Sequence, residues 1–323
     1  LLLKNAPGLV KLTPFYIPVY KSSRRGPLLL RIGLSLYAFL GGLGKQVRFS
    51  TLPKCDWLNL DGLEPNNLRA VYQYCDAQTD DPALTQAVLD SALSLGAELR
   101  LPADFQKGLK EQDHYRINYF YEGHEEICTA ATLVNAGGPW VDSILDRITP
   151  APQKVETERV QGTHILLEGK IAQGIYYLEA PRDRRPVFVM PWKGGTMVGT
   201  TETVFKGAPS EVVPLAEEKT YLLEVLGYYF PQFRTAQMTD IQSAFAGLRV
   251  LPKGNGHFGT RPRETGLQSD DPKQPRLLTI YGGKLTTYRR TAQKVMERLS
   301  QSLPEKKQMA DTTVITLKAR PNR

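Results

Sequence analysis

Short apolar runs lead into glycine turns at two places in this sequence. Leu277–Tyr281 has the composition of a buried strand, Gly282 and Gly283 interrupt it, and apolar residues then recur at helical spacing. Residues 133–148 show the same order of strand, glycine turn and helix. Such a turn directs free backbone N–H groups and the positive end of a helix dipole towards a ligand. An ordinary connection with a solvated Lys284 is the alternative explanation of the later turn.

The first hundred residues predict strands and two helices. Residues 12–20 are aromatic and β-branched, and two prolines among them favour an edge strand because proline cannot donate to a ladder. An apolar run over 28–43 predicts a helix. A second helix is predicted over 80–96, with an acidic cap and a proline at its start and a glycine at its end. Residues 97–99 are expected to resume as a strand, which would complete half of a βαβ unit.

The middle of the chain has mainly strand patterns. Tyr115–Tyr121 and Glu126–Val134 flank a short glycine turn, which predicts a hairpin. Strand-like runs punctuated by Gly and Pro follow over 149–240, and they predict an antiparallel sheet in a second domain. A helix is predicted over 215–230, where Pro231 stops the pattern.

The composition of the chain limits the classes of protein to consider. It has 323 residues, of which 41% are hydrophobic and 23% charged, as is typical of globular proteins. The four histidines have no metal-ligand spacing, so no metal site is predicted. The three cysteines fit neither a CxxC motif nor a disulfide framework, which favours free thiols.

The net charge of +8 is concentrated at the start of the chain, because residues 1–54 contain lysines and arginines but no acidic residue. The apolar run 28–43 lies inside this basic segment. Together they favour an anionic membrane surface, contacted peripherally through residues 15–48, over nucleic acid. No motif of a nucleic-acid-binding protein is present in the sequence. A buried helix with solvated basic flanks is the alternative.

Four cationic residues accompany the glycine turns. Arg249 is expected just past a strand end, Lys284 at a helix N-terminus, and Arg261 and Arg263 in a glycine-rich loop. Each of them alone is most simply a surface charge. If they converge, they would bind a phosphate or a carboxylate.

Two motifs make the chain resemble a known family. IYGGKLTTYR at 280–289 resembles the late signature of FAD-dependent glycerol-3-phosphate dehydrogenases, and LVNAGGPWVD at 133–142 is similar to an earlier motif of that family. Further segments resemble the family at 27–41 (PLLLRIGLSLYAFLG), 162–167 (GTHILL), 187–202 (VFVMPWKGGTMVGTTE) and 246–251 (AGLRVL). The likeness extends over about residues 1–303, and Val250 replaces the proline that usually follows the arginine.

The resemblance implies a mixed α/β fold. It consists of the Rossmann-like FAD/NAD(P)-binding core of the D-amino-acid-oxidase-like superfamily and an antiparallel-sheet substrate domain. The family's GxGxxG segment is expected to precede residue 1, so the chain is expected to be N-terminally truncated. Residues 1–80 are expected to contact the substrate and the membrane. The FAD-binding domain is expected in two pieces, 81–150 and 241–303, with the substrate domain (151–240) between the two pieces. Residues 304–323 are expected to form a linker.

The resemblance also implies an activity. It is the oxidation of sn-glycerol 3-phosphate to dihydroxyacetone phosphate, with FAD as cofactor and a quinone as electron acceptor. The protein would lie peripherally on the cytoplasmic face of the inner membrane, with a homodimer as a further expectation. Two alternatives stay open. The chain could be a fragment that binds neither flavin nor substrate, or another flavoenzyme of the amino-acid-oxidase type.

The family's functional residues map onto positions of this sequence. Arg249, Arg263 and Lys284 would hold the phosphate or the reacting oxygen, with Arg261 as the alternative to Arg263. Arg249, Lys284 and His164 are the catalytic candidates. His164 is included because a neutral imidazole can take a proton, and a histidine buried in the core is the alternative. Contacts to FAD are expected from Ala136, Gly137, Gly138, Trp140, Gly282, Gly283, Lys284, Leu285, Thr286 and Thr287.

Overall fold

The computed structural model describes residues 1–40, 49–169, 171–253, 265–306 and 308–319. Its helices are α1 (Leu2–Asn5), α2 (Pro27–Leu40), α3 (Asp81–Ser94), α4 (Val141–Leu145), α5 (Ala216–Tyr229) and α6 (Tyr288–Leu299). Its strands are β1 (Val10–Tyr20), β2 (Ser50–Thr51), β3 (Leu68–Thr79), β4 (Ala103–Glu111), β5 (His114–Tyr121), β6 (His124–Ala130), β7 (Leu133–Asn135), β8 (Ile148–Thr149), β9 (Thr157–Leu167), β10 (Ile175–Glu179), β11 (Pro186–Trp192), β12 (Gly195–Gly199), β13 (Thr203–Phe205), β14 (Ile241–Pro252), β15 (Gly266–Ser269) and β16 (Leu277–Tyr281).

The largest sheet has nine strands in the order β13-β9-β12-β11-β10-β1-β3-β2, with β14 also paired to β9. All its pairs are antiparallel except β1 with β10. Alternate residues of a strand face opposite sides of a sheet. One face therefore buries Ile165, Val189 and Val198 against Leu222 and Leu226 of α5. The antiparallel sheet predicted over 149–240 is confirmed, and it recruits strands from both ends of the chain.

The strand predicted at 12–20 is confirmed as β1, but its expected place at a sheet edge is wrong. β1 pairs with β3 along its whole length and with β10 only at Phe15 and Tyr16. Pro14 and Pro18 lie outside that short register, so their missing N–H groups leave most of the β10 side undisturbed. The sequence did not predict β3, because its apolar and polar residues do not alternate and its second half is largely polar.

The helix predicted at 80–96 is confirmed as α3. The Asp80 side chain accepts a hydrogen bond from Ala83 N at 3.2 Å and caps the helix. The strand predicted at 97–99 is wrong, and so is the half βαβ unit. These residues form no strand, since the chain turns at Gly96 (φ +92°) and leaves Leu99 exposed before it enters β4. The next strand therefore belongs to a separate antiparallel meander.

The predicted hairpin is confirmed in the four-stranded sheet β6-β5-β4-β8. Its second strand, predicted to reach Val134, ends at Ala130, because residues 133–135 form β7 of another sheet. Glu122 and Gly123 both have positive φ in the β5–β6 turn. The helix predicted to reach Ile148 ends sooner, at Leu145, because Ile148 belongs to β8 and pairs with Gly108. The helices predicted at 28–43 and 215–230 correspond to α2 and α5, although residues 41–43 lie outside the described part of the chain.

Two distant parts of the chain meet in a small cluster beside α3. Leu84 and Ala87 of α3 pack against Val10 and the buried Leu317. Asn5 closes this contact, since its Nδ2 donates to Thr313 O at 2.7 Å and its carbonyl accepts from Leu317 N at 2.6 Å. The segment before α3 and the segment after α6 are thus held together.

The third sheet has the order β15-β16-β7 and contains both glycine turns. β16 and β7 are parallel, with Leu277 opposite Leu133 and Thr279 opposite Asn135. Parallel strands end at the same edge of a sheet, so the turn after Asn135 and the turn after Tyr281 lie side by side. β14 contacts Gly138–Trp140 of the first turn and the strand β16 that leads into the second, which brings the large sheet to this edge.

Asp270 fixes the start of β16. Its Oδ1 accepts from Leu277 N at 2.9 Å and Arg276 N at 2.9 Å, and its Oδ2 pairs with Lys110 Nζ at 2.7 Å. Burial raises the pKa of this carboxyl, but the hydrogen bonds from Lys110 and from the two backbone N–H groups outweigh it and lower the pKa overall. The ion pair is thus a partly buried brace between β4 and the start of β16.

Replacement of Asp270 by Ala should lower the free energy of unfolding by about 2–4 kcal/mol, because it leaves Lys110 and two backbone N–H groups without their partner. Urea denaturation measures this loss. Glu98→Ala is the matched control, since Glu98 forms an exposed pair with Arg100, and it should cost less than about 0.5 kcal/mol. Equal losses in the two variants would contradict the role given to Asp270.

Candidate active site

The first glycine turn is shaped by Asn135, which is buried at the end of β7. Its Oδ1 accepts from Gly137 N at 3.1 Å, and its Nδ2 donates to Val141 O at 3.0 Å. The side chain therefore ties β7 to the start of α4 across the turn. A Cβ on Gly137 would lie 2.3 Å from Cδ1 of Ile144, so any larger residue there would require the Ile144 side chain to move. Sequence reasoning overlooked Asn135, although it lies within LVNAGGPWVD.

The remaining candidates of this turn are open to solvent. Ala136 is exposed and Trp140 is 48% exposed. Gly138 has a φ of +51°, and a Cβ on it would meet no atom within 4 Å. The turn thus offers bare backbone to a ligand.

The second turn contains Gly282 (φ +64°) and Gly283 (φ +109°), and all residues from 282 to 287 are exposed. Lys284 precedes a single 3₁₀ turn, Leu285–Thr287, which leads into α6. Thr287 donates its backbone N–H and its hydroxyl to the Lys284 carbonyl at 3.0 and 2.9 Å. Among the described residues the Lys284 ammonium has no hydrogen bond or ion pair, so it is available to a ligand. The predicted strand, glycine turn and helix are confirmed.

Arg249 and His164 lie on one face of the large sheet, opposite the face that packs on α5. The register of β14 on β9 places Arg249 opposite Val160 and Phe245 opposite His164. Residues opposite each other on neighbouring strands share a face. Arg249 lies inside β14, so its expected position past a strand end is wrong. Its strand nevertheless contacts residues of the first glycine turn and the strand β16 that leads into the second.

The Arg249 guanidinium is held at the end of β12. Its Nη1 pairs with Glu202 Oε1 at 3.1 Å, and its Nη2 contacts Thr200 Oγ1 at 3.3 Å and Thr201 O at 3.5 Å. The side chain is 30% exposed. Gly162 makes room for it, since a Cβ there would lie 2.8 Å from Nη2. These contacts orient a partly desolvated guanidinium, whose planar fork of N–H donors suits carboxylate and phosphate groups.

The His164 imidazole is half-buried and stacks on Phe245, with the ring centroids 5.0 Å apart and the planes 10° from parallel. Gly199 on the neighbouring strand provides the space, because a Cβ there would lie 2.0 Å from Cδ2 of the ring. Nδ1 is buried, and no residue in the described ranges hydrogen-bonds to it.

The surroundings of His164 keep it neutral. Burial, and then the positive charge of Arg249, lower the pKa of the imidazole from 6.5 to about 4, although Asp81 opposes the shift. A neutral imidazole has a lone pair and can accept a proton. The same shift makes it a weak base.

Four aromatic residues extend the His164 face of the sheet. Phe188 lies opposite Gly199, which is itself opposite His164. The rings of Phe15 and Tyr177 contact Phe188, with centroids 6.4 and 5.4 Å from it, and Tyr74 continues the layer at 5.3 Å from Phe15. All four side chains are half-buried, so a flat apolar floor lies beside the histidine. Arg261 and Arg263 lie outside the described residues.

Comparison with known proteins agrees with this arrangement. Residues 31–289 match the family model described as FAD dependent oxidoreductase. The chain belongs to this family of FAD-dependent oxidoreductases. It is 30% identical over 314 residues, 94% of its length, to the aerobic glycerol-3-phosphate dehydrogenase of Bacillus subtilis (strain 168). It spans 55% of that relative.

Solved structures support the fold of this FAD-dependent oxidoreductase. The glycerol-3-phosphate dehydrogenase from Bacillus halodurans, complexed with FAD, superimposes with a TM-score of 0.75 at 23% identity, over 93% of this chain and 53% of that one. The glycine oxidase from Geobacillus kaustophilus gives a TM-score of 0.66 at 16% identity, over 99% of this chain and 79% of that one. The mixed α/β fold expected from the resemblance is therefore confirmed.

FAD is the cofactor of this family, and the residues at the turns fit a flavin nucleotide. Gly138 and Gly283 leave backbone that a flat ring can approach closely. The N–H groups at the N-terminus of the 3₁₀ turn and the Lys284 charge would favour a negative group there. The contacts of individual residues with FAD stay a prediction.

The His164 environment predicts a pH-dependent stability. Because the folded pKa lies near 4 and the unfolded one near 6.5, the unfolded chain binds the proton first, and this contribution to stability is lost as the pH falls from 6.5 to 4. Between pH 7 and 5, wild-type protein should lose about 1–2 kcal/mol more than His164→Gln.

Urea unfolding at the two pH values measures the difference. His124→Gln is the control, since His124 is exposed on β6 and its removal should leave the wild-type pH dependence unchanged. If His164→Gln and wild type lose stability in parallel, the imidazole is not held neutral.

Proposed function

We propose that the whole protein oxidises sn-glycerol 3-phosphate to dihydroxyacetone phosphate and passes the electrons to a quinone. The observation that carries this proposal is Arg249, an oriented cation on β14, a strand that contacts the first glycine turn at Gly138–Trp140 and also β16, which leads into the second turn. Lys284 adds a second cation on one of those turns. The relative from Bacillus subtilis, named an aerobic glycerol-3-phosphate dehydrogenase, supports the choice of substrate.

Each residue has a distinct part in the proposed reaction. Arg249 and Lys284 bind the phosphate or the oxygen that becomes a carbonyl, with Arg263 as a third candidate. The neutral His164 accepts the hydroxyl proton, and the Phe245 ring stacked on it excludes water from one side. FAD, when bound, supplies the electron acceptor for cleavage of the substrate C–H bond.

An amino-acid oxidation is the second candidate function, because the fold is also that of a glycine oxidase. A substrate carboxylate would need a single cation such as Arg249. Lys284 would not be needed to bind such a carboxylate, whereas a phosphate can bind both Arg249 and Lys284. Glycerol 3-phosphate is therefore the better substrate for this arrangement.

α2 supports the proposed contact with a membrane surface. Leu28, Ile32, Leu36 and Phe39 are between 57% and 73% exposed and recur at helical spacing. On its other side the helix packs through Leu30 and Leu34 against β1 and β3. Among the described helices none is long and apolar enough to cross a bilayer.

Basic residues surround the exposed apolar stripe of α2. Arg24 and Arg25 precede the helix and Arg31 lies within it. An apolar stripe with basic neighbours is typical of helices that lie in an anionic interface. We therefore propose peripheral binding at the cytoplasmic face of the inner membrane, where a quinone is accessible.

The purified protein should absorb at flavin wavelengths and reduce a dye when glycerol 3-phosphate is added. Arg249→Ala and Lys284→Ala should each lower kcat/KM by about ten- to a hundredfold, since each removes a charged hydrogen bond to the substrate. Steady-state dye reduction measures this effect.

Lys253→Ala is the control for the kinetic experiment. Lys253 directly follows β14 but forms an exposed pair with Glu156, so its loss should leave kcat/KM within about twofold. A yellow protein that oxidises glycine and not glycerol 3-phosphate would establish the second candidate. A colourless protein would show that this chain does not hold FAD by itself.

Membrane binding can be tested by co-sedimentation with vesicles that contain phosphatidylglycerol. The double variant Ile32→Ser/Leu36→Ser should bind at least about tenfold more weakly, because two exposed apolar side chains are lost from the interface. Leu58→Ser is the matched control, since Leu58 is 87% exposed outside α2. High salt should weaken wild-type binding through its effect on the arginines. Equal binding of both variants would exclude α2 as the contact.

A further inference from the structure

A buried carboxylate lies directly behind the proposed anion site. Glu218, in the first turn of α5, is 5% exposed. Its Oε1 accepts from the hydroxyls of Thr201 and Thr203, both at 2.8 Å. Its Oε2 accepts from Thr163 Oγ1 at 2.6 Å and Gln161 Nε2 at 2.7 Å. Neutral donors from β9, from β13 and from the loop after β12 therefore surround this carboxylate.

Glu218 is ionised in spite of its burial. Burial raises the pKa of the carboxyl, but the four side-chain hydrogen bonds outweigh it, so the pKa is lowered overall. Leu215 N also approaches Oε2 at 3.3 Å, and the N-terminus of α5 favours a negative charge at this position. Capping of α5 is thus one role of Glu218, and it is a purely structural one.

The Thr201 hydrogen bonds lead from Glu218 towards the site. Thr201 Oγ1 donates to the carboxylate and accepts from Thr163 N at 2.9 Å, so it is fixed from two directions. The backbone of the same residue presents its carbonyl to Arg249 Nη2, and its neighbours Thr200 and Glu202 make further contacts to the guanidinium. The segment that orients Arg249 is therefore anchored on the far side by Glu218.

We propose that Glu218 is a positioning residue for Arg249, acting through Thr201. The Glu218 carboxylate holds residues 200–202 in place. The Thr200 hydroxyl, the Thr201 carbonyl and the Glu202 carboxylate then fix the plane of the Arg249 guanidinium. The proposal rests on the proposed function only for the claim that Arg249 then binds an anionic substrate.

Thr203 provides a matched control for this role. Thr201 and Thr203 donate to the same oxygen of Glu218 over the same distance, 2.8 Å. Thr203 lies on β13 and donates its hydroxyl to Glu218, whereas Thr201 also presents its carbonyl to Arg249. If Glu218 served only to stabilise the fold, the two threonines would be equivalent towards Arg249.

The experiment follows the side-chain Nε–Hε signal of Arg249 by NMR in the full chain, assigned with Arg249→Lys. Thr201→Val and Glu218→Gln should each speed exchange of this proton with water by about fivefold, because one ordered hydrogen-bonded anchor is lost. Thr201→Ser should restore the wild-type rate. Thr203→Val should lower the melting temperature but leave the Arg249 signal unchanged.

The same samples are then titrated with sn-glycerol 3-phosphate at low salt. In wild type the Arg249 signal should shift, and Thr201→Val should weaken the apparent affinity by about fivefold, while Thr203→Val leaves it unchanged. An Arg249 signal that responds equally to Thr201→Val and Thr203→Val would overturn the positioning role. If Thr201→Val does not fold, an unchanged signal in the near-isosteric Glu218→Gln would overturn it too.

The outcomes separate the two proposals. If the variants change proton exchange at Arg249 as expected, but glycerol 3-phosphate shifts no signal in wild type, the positioning role is supported and the proposed substrate is not. A different outcome is that wild type binds glycerol 3-phosphate, while Glu218→Gln and Thr201→Val change neither the proton exchange at Arg249 nor the affinity. The substrate is then supported, and the positioning role is wrong.

Discussion

The parallel pairing of β7 with β16 is the constraint on which the site depends. These two strands come from segments more than 140 residues apart, and their register, with Thr279 opposite Asn135, places both glycine turns at one sheet edge. A slip in this register would move one turn along the strand axis and separate the two stretches of bare backbone. Asp270 fixes the start of β16 and Asn135 fixes the turn after β7, each by hydrogen bonds to the backbone.

β14 connects this edge to the large sheet. It is twelve residues long, pairs with β9 over almost its entire length, and contacts both the first glycine turn and β16. One face of that sheet is committed to the core under α5, so the other face is free to present polar and aromatic side chains. Arg249, His164 and the layer around Phe188 lie on this second face, which accounts for an oriented cation, a neutral imidazole and an apolar floor within one surface.

Much of this could be predicted from the sequence where the pattern is local. The strand, glycine turn and helix from Leu277 onwards occupy consecutive residues, so composition and motif predicted them correctly. β3 was missed because its exposed and buried positions do not alternate, and β1 was misplaced because the sequence does not show that its prolines avoid the short β10 register. The partnership of Glu218 with Thr201 could not be predicted, since it joins residues of a helix and a loop whose proximity depends on the packing of α5 under the sheet.

The contact of Asn5 with Thr313 and Leu317 has a consequence for the order of folding. Residues 308 positions apart are joined there, and closing so long a loop costs entropy that grows with the logarithm of its length. During synthesis at about 5–20 residues per second, the first helix waits roughly fifteen seconds or more for its partner to leave the ribosome. Until then Leu84, Ala87 and Val10 lack the packing contact with Leu317. The α1 segment is thus made well before Leu317, and its packing is completed only after Leu317 has been made.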